Sequence, residues 1–340
     1  MRSIEELESK NVLGDAFPEG TRTVSLNRTF DGAYPGTRKI SVGKYLSCDH
    51  LIPKVESSYV FDASILEGII DFLDDPTGDA LYLYGPSGCG KTSAVLQACA
   101  RLKLPCIQLT LNGRFELNDL IGHPTILKDE VFFVHGPLAR AMKYGYVLVL
   151  NEVDLADPGE LAGLNDVLEG RYLTIVQNDG EIVEPHKNFR FVVTANTRGI
   201  TGIGPLGNYA GTQVLNSAFL DRFRFVSCGY LDELCERAML VKAVPELNPE
   251  FAHRLVLVAQ EVRNSCFSIK QTRIHISIPF STRSLVRWAK LICMYANRID
   301  SAVDTALEHA FAARLSEDES TYVHRLAKDT IGTDIPVFRA

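Results

Sequence analysis

The sequence predicts an α/β fold. A three-layer αβα P-loop domain with two β-hairpin inserts is followed by a small helical domain. Three observations in the 340 residues point there. The segment 81–92 reads Leu-Tyr-Leu-Tyr-Gly-Pro-Ser-Gly-Cys-Gly-Lys-Thr, a strand-like run broken by G-x-x-x-x-G-K-T and continued by a helix-forming stretch. Short apolar runs then alternate with helical ones as far as about residue 228. From Tyr230 onward the periodicity is helical only.

Residues 1–57 are rich in Gly and Pro between short β-prone runs at 21–26 and 38–42, and read as a β-containing arm or subdomain. Residues 61–73 have helical periodicity with an Asp or Ser available as a cap. The nucleotide-binding domain is expected over 58–229. Its strands are 81–84, 106–111, 146–150, 190–194 and 223–228, and its helices 91–102 and 157–168. Residues 146–150 are wholly apolar, as suits the middle of a parallel sheet. Two segments interrupt the alternation. Residues 118–136 read as a hairpin with Lys128-Asp-Glu at its tip, and 172–183 as a hairpin around Asn178-Asp-Gly. Helices follow at 231–244, 249–265, 282–296, 301–315 and near 319–328, within a helical domain spanning 230–340.

Composition narrows the function. Hydrophobic residues make up 46% of the chain and charged residues 23%, an ordinary globular balance. A net charge of −7 disfavours a nucleic-acid-binding surface. No apolar run approaches the length needed to span a bilayer, and the start of the chain is acidic, unlike a signal peptide. The eight cysteines form no C-x-x-C pair, which argues against a zinc site or a disulfide framework. With Cys89 inside the phosphate loop, they point to the reducing cytoplasm. The histidines show no metal-ligand spacing.

The chemistry-bearing residues sit at strand ends. Gly85, Pro86, Ser87, Gly88, Cys89, Gly90, Lys91, Thr92 and Ser93 form a loop whose amides turn inward around a phosphate at a helix N-terminus. Lys91 is placed for the β/γ-phosphates and the Thr92 hydroxyl for Mg²⁺. The strand 146–150 ends in Asn151-Glu-Val-Asp154, where a P-loop enzyme carries an acidic pair on the strand beside the P-loop strand. Glu152 fits the base that polarises water. Asn151 stands where Asp is usual and brings no charge to the metal. Asp154 either restores part of that charge or faces elsewhere. Asn196 follows the strand 190–194 and can position water. Arg222 and Arg224 read, on position alone, as cations offsetting a helix end beside Asp221; either can also reach a neighbouring subunit's phosphate. Arg283 opens a helix of the second domain.

Taken together, residues 58 to about 330 resemble the MoxR-type AAA+ ATPases of the helix-2-insert clade, most of all the small ATPase subunit of aerobic cobaltochelatase. The resemblance is carried by Gly85–Thr92, Asn118-Asp-Leu-Ile-Gly122, Asn151-Glu-Val-Asp154, Val167-Leu-Glu-Gly-Arg171, Thr194-Ala-Asn-Thr197, Gly211-Thr-Gln-Val-Leu-Asn216, Leu220-Asp-Arg-Phe223 and Ser281-Thr-Arg-Ser284. It implies that Gly85–Thr92 is Walker A, Asn151-Glu152 Walker B, Asn196 sensor 1, Arg222 the arginine finger and Arg283 sensor 2. It further implies ATP and Mg²⁺ at subunit interfaces of a hexameric ring, hairpins that line or face a central pore, a protein client, and a partner with a von Willebrand factor A domain.

Overall fold

The computed structural model describes residues 14–127, 130–200, 211–267, 275–296, 298, 301–332 and 336–338. The first strands, β1 (Thr21–Ser25) and β2 (Lys39–Gly43), pair antiparallel around a short helix α1 (Leu26–Thr29). Helix α2 (Ala63–Asp74) starts where the Asp62 carboxylate accepts the amides of Ser64 and Ile65. Strand β3 (Ala80–Tyr84) feeds the glycine loop and helix α3 (Lys91–Arg101). Strands β4 (Cys106–Thr110), β7 (Val147–Asn151), β10 (Arg190–Ala195) and β11 (Phe223–Ser227) complete a parallel sheet of order β11-β3-β10-β7-β4.

That order corrects one expectation. The strand ending in Asn151 is not beside the P-loop strand; β10 lies between them. The polar tip of β10, Thr194 to Thr197, is therefore the bridge from the loop to Glu152.

Alternation along each strand builds the three layers. Leu81, Leu83, Val147, Val149 and Val192 pack on one face with α2, α3 and the arm residues Leu26, Phe30 and Ile40. Tyr82, Leu148, Leu150 and Val193 pack on the other with Leu138, Met142 and Leu161. Residues 14–57 thus share apolar clusters with both faces of the sheet. The Asp15–Arg140 pair pins the arm at 2.7 Å.

Between β4 and β7 lie α4 (Leu117–Ile121), the hairpin β5 (Gly122–Leu127) and β6 (Glu130–His135), and α5 (Pro137–Tyr144). Lys128 and Asp129 of the expected hairpin tip lie outside the described residues. The sequence reading assigned no helix at α4 or α5, although Pro137 at the first position and left-handed Gly145 (φ 76°) just past the end are ordinary boundary signals. The single helix expected at 157–168 is two, α6 (Pro158–Ala162) and α7 (Asn165–Leu168). It breaks at Gly163, whose Cβ, if present, would lie 2.4 Å from the Leu117 side chain.

The second hairpin, β8 (Leu173–Ile175) with β9 (Glu181–Val183), is only three residues a side. Its turn spreads over 176–180 because Asp179 and Gly180 are both left-handed (φ 50° and 75°). After α8 (Ser217–Leu220) and β11 the chain is helical: α9 (Glu233–Ala243), α10 (Pro249–Phe267), α11 (Thr282–Tyr295), α12 (Ala302–Ala310) and α13 (Glu317–Ile331). The expected helix 301–315 ends at Ala310 and continues as a single 3₁₀ turn, Ala312–Arg314. Trp288, Phe280 and Phe311 fill this separate core.

Candidate active site

The glycine loop is shaped by what surrounds it. Gly85 has φ 155°, and a Cβ there would lie 1.9 Å from the carbonyl oxygen of Cys228, the residue just past β11. No other residue fits without moving the sheet. Left-handed Gly90 opens α3 with no side-chain cap, so the first-turn amides have no intrahelical acceptor and face the loop.

Inside the loop, Lys91 is 7% exposed. Its Nζ donates to the Gly85 carbonyl (2.8 Å), the Pro86 carbonyl (3.0 Å) and Asn196 Oδ1 (3.0 Å). Asn196 Nδ2 in turn donates to Glu152 Oε2 at 2.7 Å. One amide thus joins the loop lysine to the carboxylate. Asn151 Oδ1 accepts the hydroxyls of Thr92 (2.7 Å) and Thr194 (3.2 Å). Ser93 sits exposed on the first turn of α3.

Glu152 is left-handed (φ 56°), a conformation that costs a side chain about 1–2 kcal/mol. It turns the chain out of β7 at the C-terminal end of the parallel strands. Burial raises its pKa, and Asp154 adds to the rise; Lys91, the Asn196 amide and Arg283 oppose it. The influence of Arg283 brings that exposed residue, from α11, into the same field.

Asp154 is fully buried and serves a different purpose from the charge compensation considered above. Its Oδ2 accepts from Asn196 N (3.0 Å), Thr197 N (2.9 Å) and Thr197 Oγ1 (3.0 Å). It fixes the tip of β10 and so aims Asn196. Oδ1 has no protein partner. Asp154 does not join Thr92 and Asn151.

Those two offer a hydroxyl and an amide oxygen, hard donors that suit Mg²⁺. Both are neutral, so the residues fit a cation held mainly by a ligand's own anionic oxygens. Among the described residues no cluster of His, Cys, Asp and Glu could hold a metal.

A hollow opens beside the loop, lined among others by Tyr59, Phe61, Ile65, Cys89, Cys228 and Leu231. Its outer wall is strapped to α3. Buried Gln97 accepts the Glu56 amide (2.9 Å) and donates to the Lys54 carbonyl (3.0 Å), and Arg101 stacks over Phe61 at 4.9 Å. Apart from Asp62, the hollow is lined by apolar and small residues and edged by aromatic rings, and it lies next to the phosphate loop. Burial raises the thiol pKa of Cys89, and that of Cys228 to about 12, so both stay protonated. All eight cysteines are free.

Arg222 is not part of this set. It ion-pairs with Glu169 and donates to the Ala218 carbonyl at the rim, rather than meeting Asp221. Arg224 is held by Thr77 Oγ1 (2.7 Å) and the carbonyl of Pro76 (3.4 Å). Sequence reasoning missed Thr194, Thr197, the Tyr59–Phe61 wall and Glu169. Thr194 and Thr197 were legible as hydroxyls flanking a strand tip. Glu169 lies within Val167–Arg171, but its pairing with Arg222, 53 residues away, has no local signal.

Residues 80–223 match the model of the AAA domain (dynein-related subfamily) family, and residues 236–329 match that of the CbbQ/NirQ/NorQ C-terminal family. The aerobic cobaltochelatase subunit CobS of Sinorhizobium sp is 27% identical over 261 residues, 74% of this chain and 76% of that protein. Midasin of Dictyostelium discoideum is 29% identical over 262 residues, 72% of this chain but 4% of midasin. A Thermotoga maritima RuvB structure aligns with TM-score 0.47 and 14% identity, covering 76% of this chain and 73% of that one.

Proposed function

We propose that this chain, an AAA+ P-loop NTPase of the MoxR type, hydrolyses ATP with Mg²⁺ in a homo-oligomeric, hexameric ring and spends the cycle remodelling a protein client. A partner with a von Willebrand factor A domain would deliver that client. One observation carries the reading: Lys91, Asn196 and Glu152 form a continuous hydrogen-bonded line, with Thr92 and Asn151 bonded to each other at the same strand ends.

The chemistry follows from those positions. Lys91 now satisfies two loop carbonyls and Asn196; an arriving triphosphate would compete for its three donors. Asn196, freed from Lys91, would keep its amide on Glu152 and its oxygen toward water. Glu152 would take the proton of that water. Thr92 and Asn151 would hold Mg²⁺, which supplies charge compensation for the phosphates. The Tyr59–Phe61 hollow would take the base. Arg283 would sense the phosphates from the helical domain. Arg222 would act on the neighbouring subunit's nucleotide once released from Glu169, making turnover depend on assembly. The helical lid at 230–340 and the cytoplasmic setting belong to the same reading, and the eight free cysteines support that setting.

The test is phosphate release over a series of protein concentrations. Turnover per subunit should rise as rings form, and Lys91→Ala and Arg222→Ala should each remove it. Wild-type-like turnover in both variants, at every concentration, overturns the reading. A second reading, supported by the similarity to CobS, makes the chain the ATPase subunit of a cobalt chelatase. Retention of a chelatase-type large subunit, rather than a protein client, by a Glu152→Gln trap would favour it.

A further inference from the structure

The helical region touches the phosphate loop at two places. The hydroxyl of Tyr230, which follows β11 on the connection to α9, donates to the Ser87 carbonyl at 2.9 Å. Ser281, the N-cap of α11, stands so close to Gly88 that a Cβ on Gly88 would lie 2.6 Å from its own Cβ. Behind both contacts lies one buried ion pair. Arg263 on α10 is 5% exposed, and Glu236 on α9 is fully buried.

The pair is bidentate: Nη1 to Oε2 at 2.6 Å and Nη2 to Oε1 at 2.7 Å. The Nε donor and the face of the fork are engaged as well. Arg263 Nε donates to the Phe280 carbonyl (2.6 Å), and its guanidinium lies 4.1 Å from the centre of the Tyr230 ring. The Thr282 hydroxyl, in the first turn of α11, donates to Glu236 Oε1 at 2.9 Å. Phe280 and Thr282 bracket Ser281, and Arg283 comes next.

A buried ion pair is seldom retained for stability, because well-packed apolar residues of similar volume do as well or better. This one does something apolar residues could not do. It holds the residues on both sides of Ser281, and through Tyr230 it is stacked on a group bonded to the phosphate loop. We infer that Tyr230, Arg263, Glu236 and Thr282 form a relay that ties the conformation of the loop at Ser87–Gly88 to the start of α11, and so sets where Arg283 stands. These are positioning residues: Tyr230 reaches the phosphate loop at the Ser87 backbone carbonyl, and the other three stand behind it. A ligand that draws the Ser87–Gly88 backbone toward phosphate pulls on Tyr230 and displaces Ser281. The rigid fork then moves the N-terminus of α11 as one piece.

The kinetic arm of the test rests on the hydrolysis proposed above; the exchange arm does not. Tyr230→Phe keeps the ring under Arg263 and removes only the hydroxyl; Thr282→Val removes only the bond to Glu236. Amide exchange at residues 281–286 is compared with and without Mg²⁺ and ATPγS. In wild type the ligand should slow it. In both variants that slowing should shrink by about threefold to tenfold, the scale of one hydrogen bond, while the ligand-free melting temperature falls by no more than about 4 °C. The kcat should fall by about the same factor while KM stays within about twofold.

Wild-type-like exchange in both variants overturns the relay, as does a wild type in which ATPγS leaves 281–286 unchanged. A larger loss of melting temperature, in step with the exchange change, would assign a structural role only. Failure of the hydrolysis reading looks different: no turnover in wild type, yet a ligand-dependent exchange difference that the variants still abolish.

Discussion

At the C-terminal edge of the sheet, Lys91, Asn151 and Asn196 are polar, 7–8% exposed, and each is hydrogen bonded. On the two hairpins the situation is inverted. Ile126, Val131, Val176 and Ile182 are apolar and 59–77% exposed. Ile126 faces Val131 directly across the β5–β6 ladder. The hairpins are joined through a polar contact instead, His135 to Glu181 at 2.7 Å, and Gln177 ties the second hairpin to Asn118 on α4 at 3.1 Å. Burying bonded polar groups costs stability that apolar packing must offset, and is retained where the groups act on a ligand. Apolar side chains left in water add nothing to the fold. The contrast separates a region whose geometry the fold enforces from one whose surface residues the fold does not need.

The sharpest way to break the comparison is at Glu152. Glu152→Gln keeps the shape and can still accept from Asn196, so nucleotide binding should persist while hydrolysis falls by about 10²- to 10⁴-fold. Binding lost together with hydrolysis would contradict that separation. The raised pKa of Glu152 adds a pH signature. Hydrolysis should decline with falling pH through a value above the ordinary glutamate range, since the base must be ionised. The stability sign is opposite. Ionised Glu152 is penalised by burial in the folded state only, so the penalty is full above its raised folded pKa and gone below its unfolded one. Without nucleotide, Glu152→Gln should melt above wild type at neutral pH, and the gap should close on acidification. A gap that widens on acidification refutes the assignment.

Next in size is Gly85→Ala. The added Cβ would overlap the Cys228 carbonyl, and neither β3 nor β11 can retreat without breaking its ladder. A loss of about 3 kcal/mol is expected from denaturant unfolding, near the top of the range for overpacking and backbone strain. The same substitution at Gly180, also left-handed but with open space around it, should cost about 1–2 kcal/mol from conformation alone. Equal losses at the two sites would show that φ, and not the close approach of β11, is what demands glycine at position 85.

How much of this was legible follows from range. The glycine loop, the apolar strands and most helix starts depend on neighbours within a few residues, and the pattern alone locates them. Asp62 before α2 and the Ser281 cap before α11 are examples. The order of strands is not local. Nothing in the sequence of β10 says that it separates β3 from β7, so the bridge from Lys91 through Asn196 to Glu152 appears only when the sheet is assembled. The fate of Asp154 is similar. Its spacing from Glu152 left two directions open, and the 3₁₀ turn at Val153–Leu155 decides between them by swinging the carboxylate under Thr197. Arg263 and Glu236 lie on separate helices, 27 residues apart, and each alone reads as a surface charge.

A smaller effect is expected at Asn151. Asn151→Asp retains an oxygen for the Thr92 and Thr194 hydroxyls and adds one negative charge beside the proposed Mg²⁺ position. The Mg²⁺ concentration for half-maximal hydrolysis should drop by about threefold to tenfold, because a charged oxygen binds the cation more strongly than an amide. An unchanged Mg²⁺ dependence would mean that Asn151 only orders the two hydroxyls.

The smallest effect belongs to the hairpins. Ile126→Ser and Val176→Ser each remove an apolar side chain that is 74% and 77% exposed. Little area returns to water that was not already wet, so unfolding free energy should stay within about 0.5 kcal/mol of wild type. Leu150→Ala, on the fully buried strand β7, should cost about 2–5 kcal/mol in the same assay, since it leaves a cavity between the sheet and its helical layer. Were Val176→Ser to approach Leu150→Ala, the turn at 176–180 would be holding the His135–Glu181 clamp in place through packing, and the hairpins would belong to the folded core after all. A null result for both serines, beside a large one for Leu150, leaves the exposed apolar row with no part in folding.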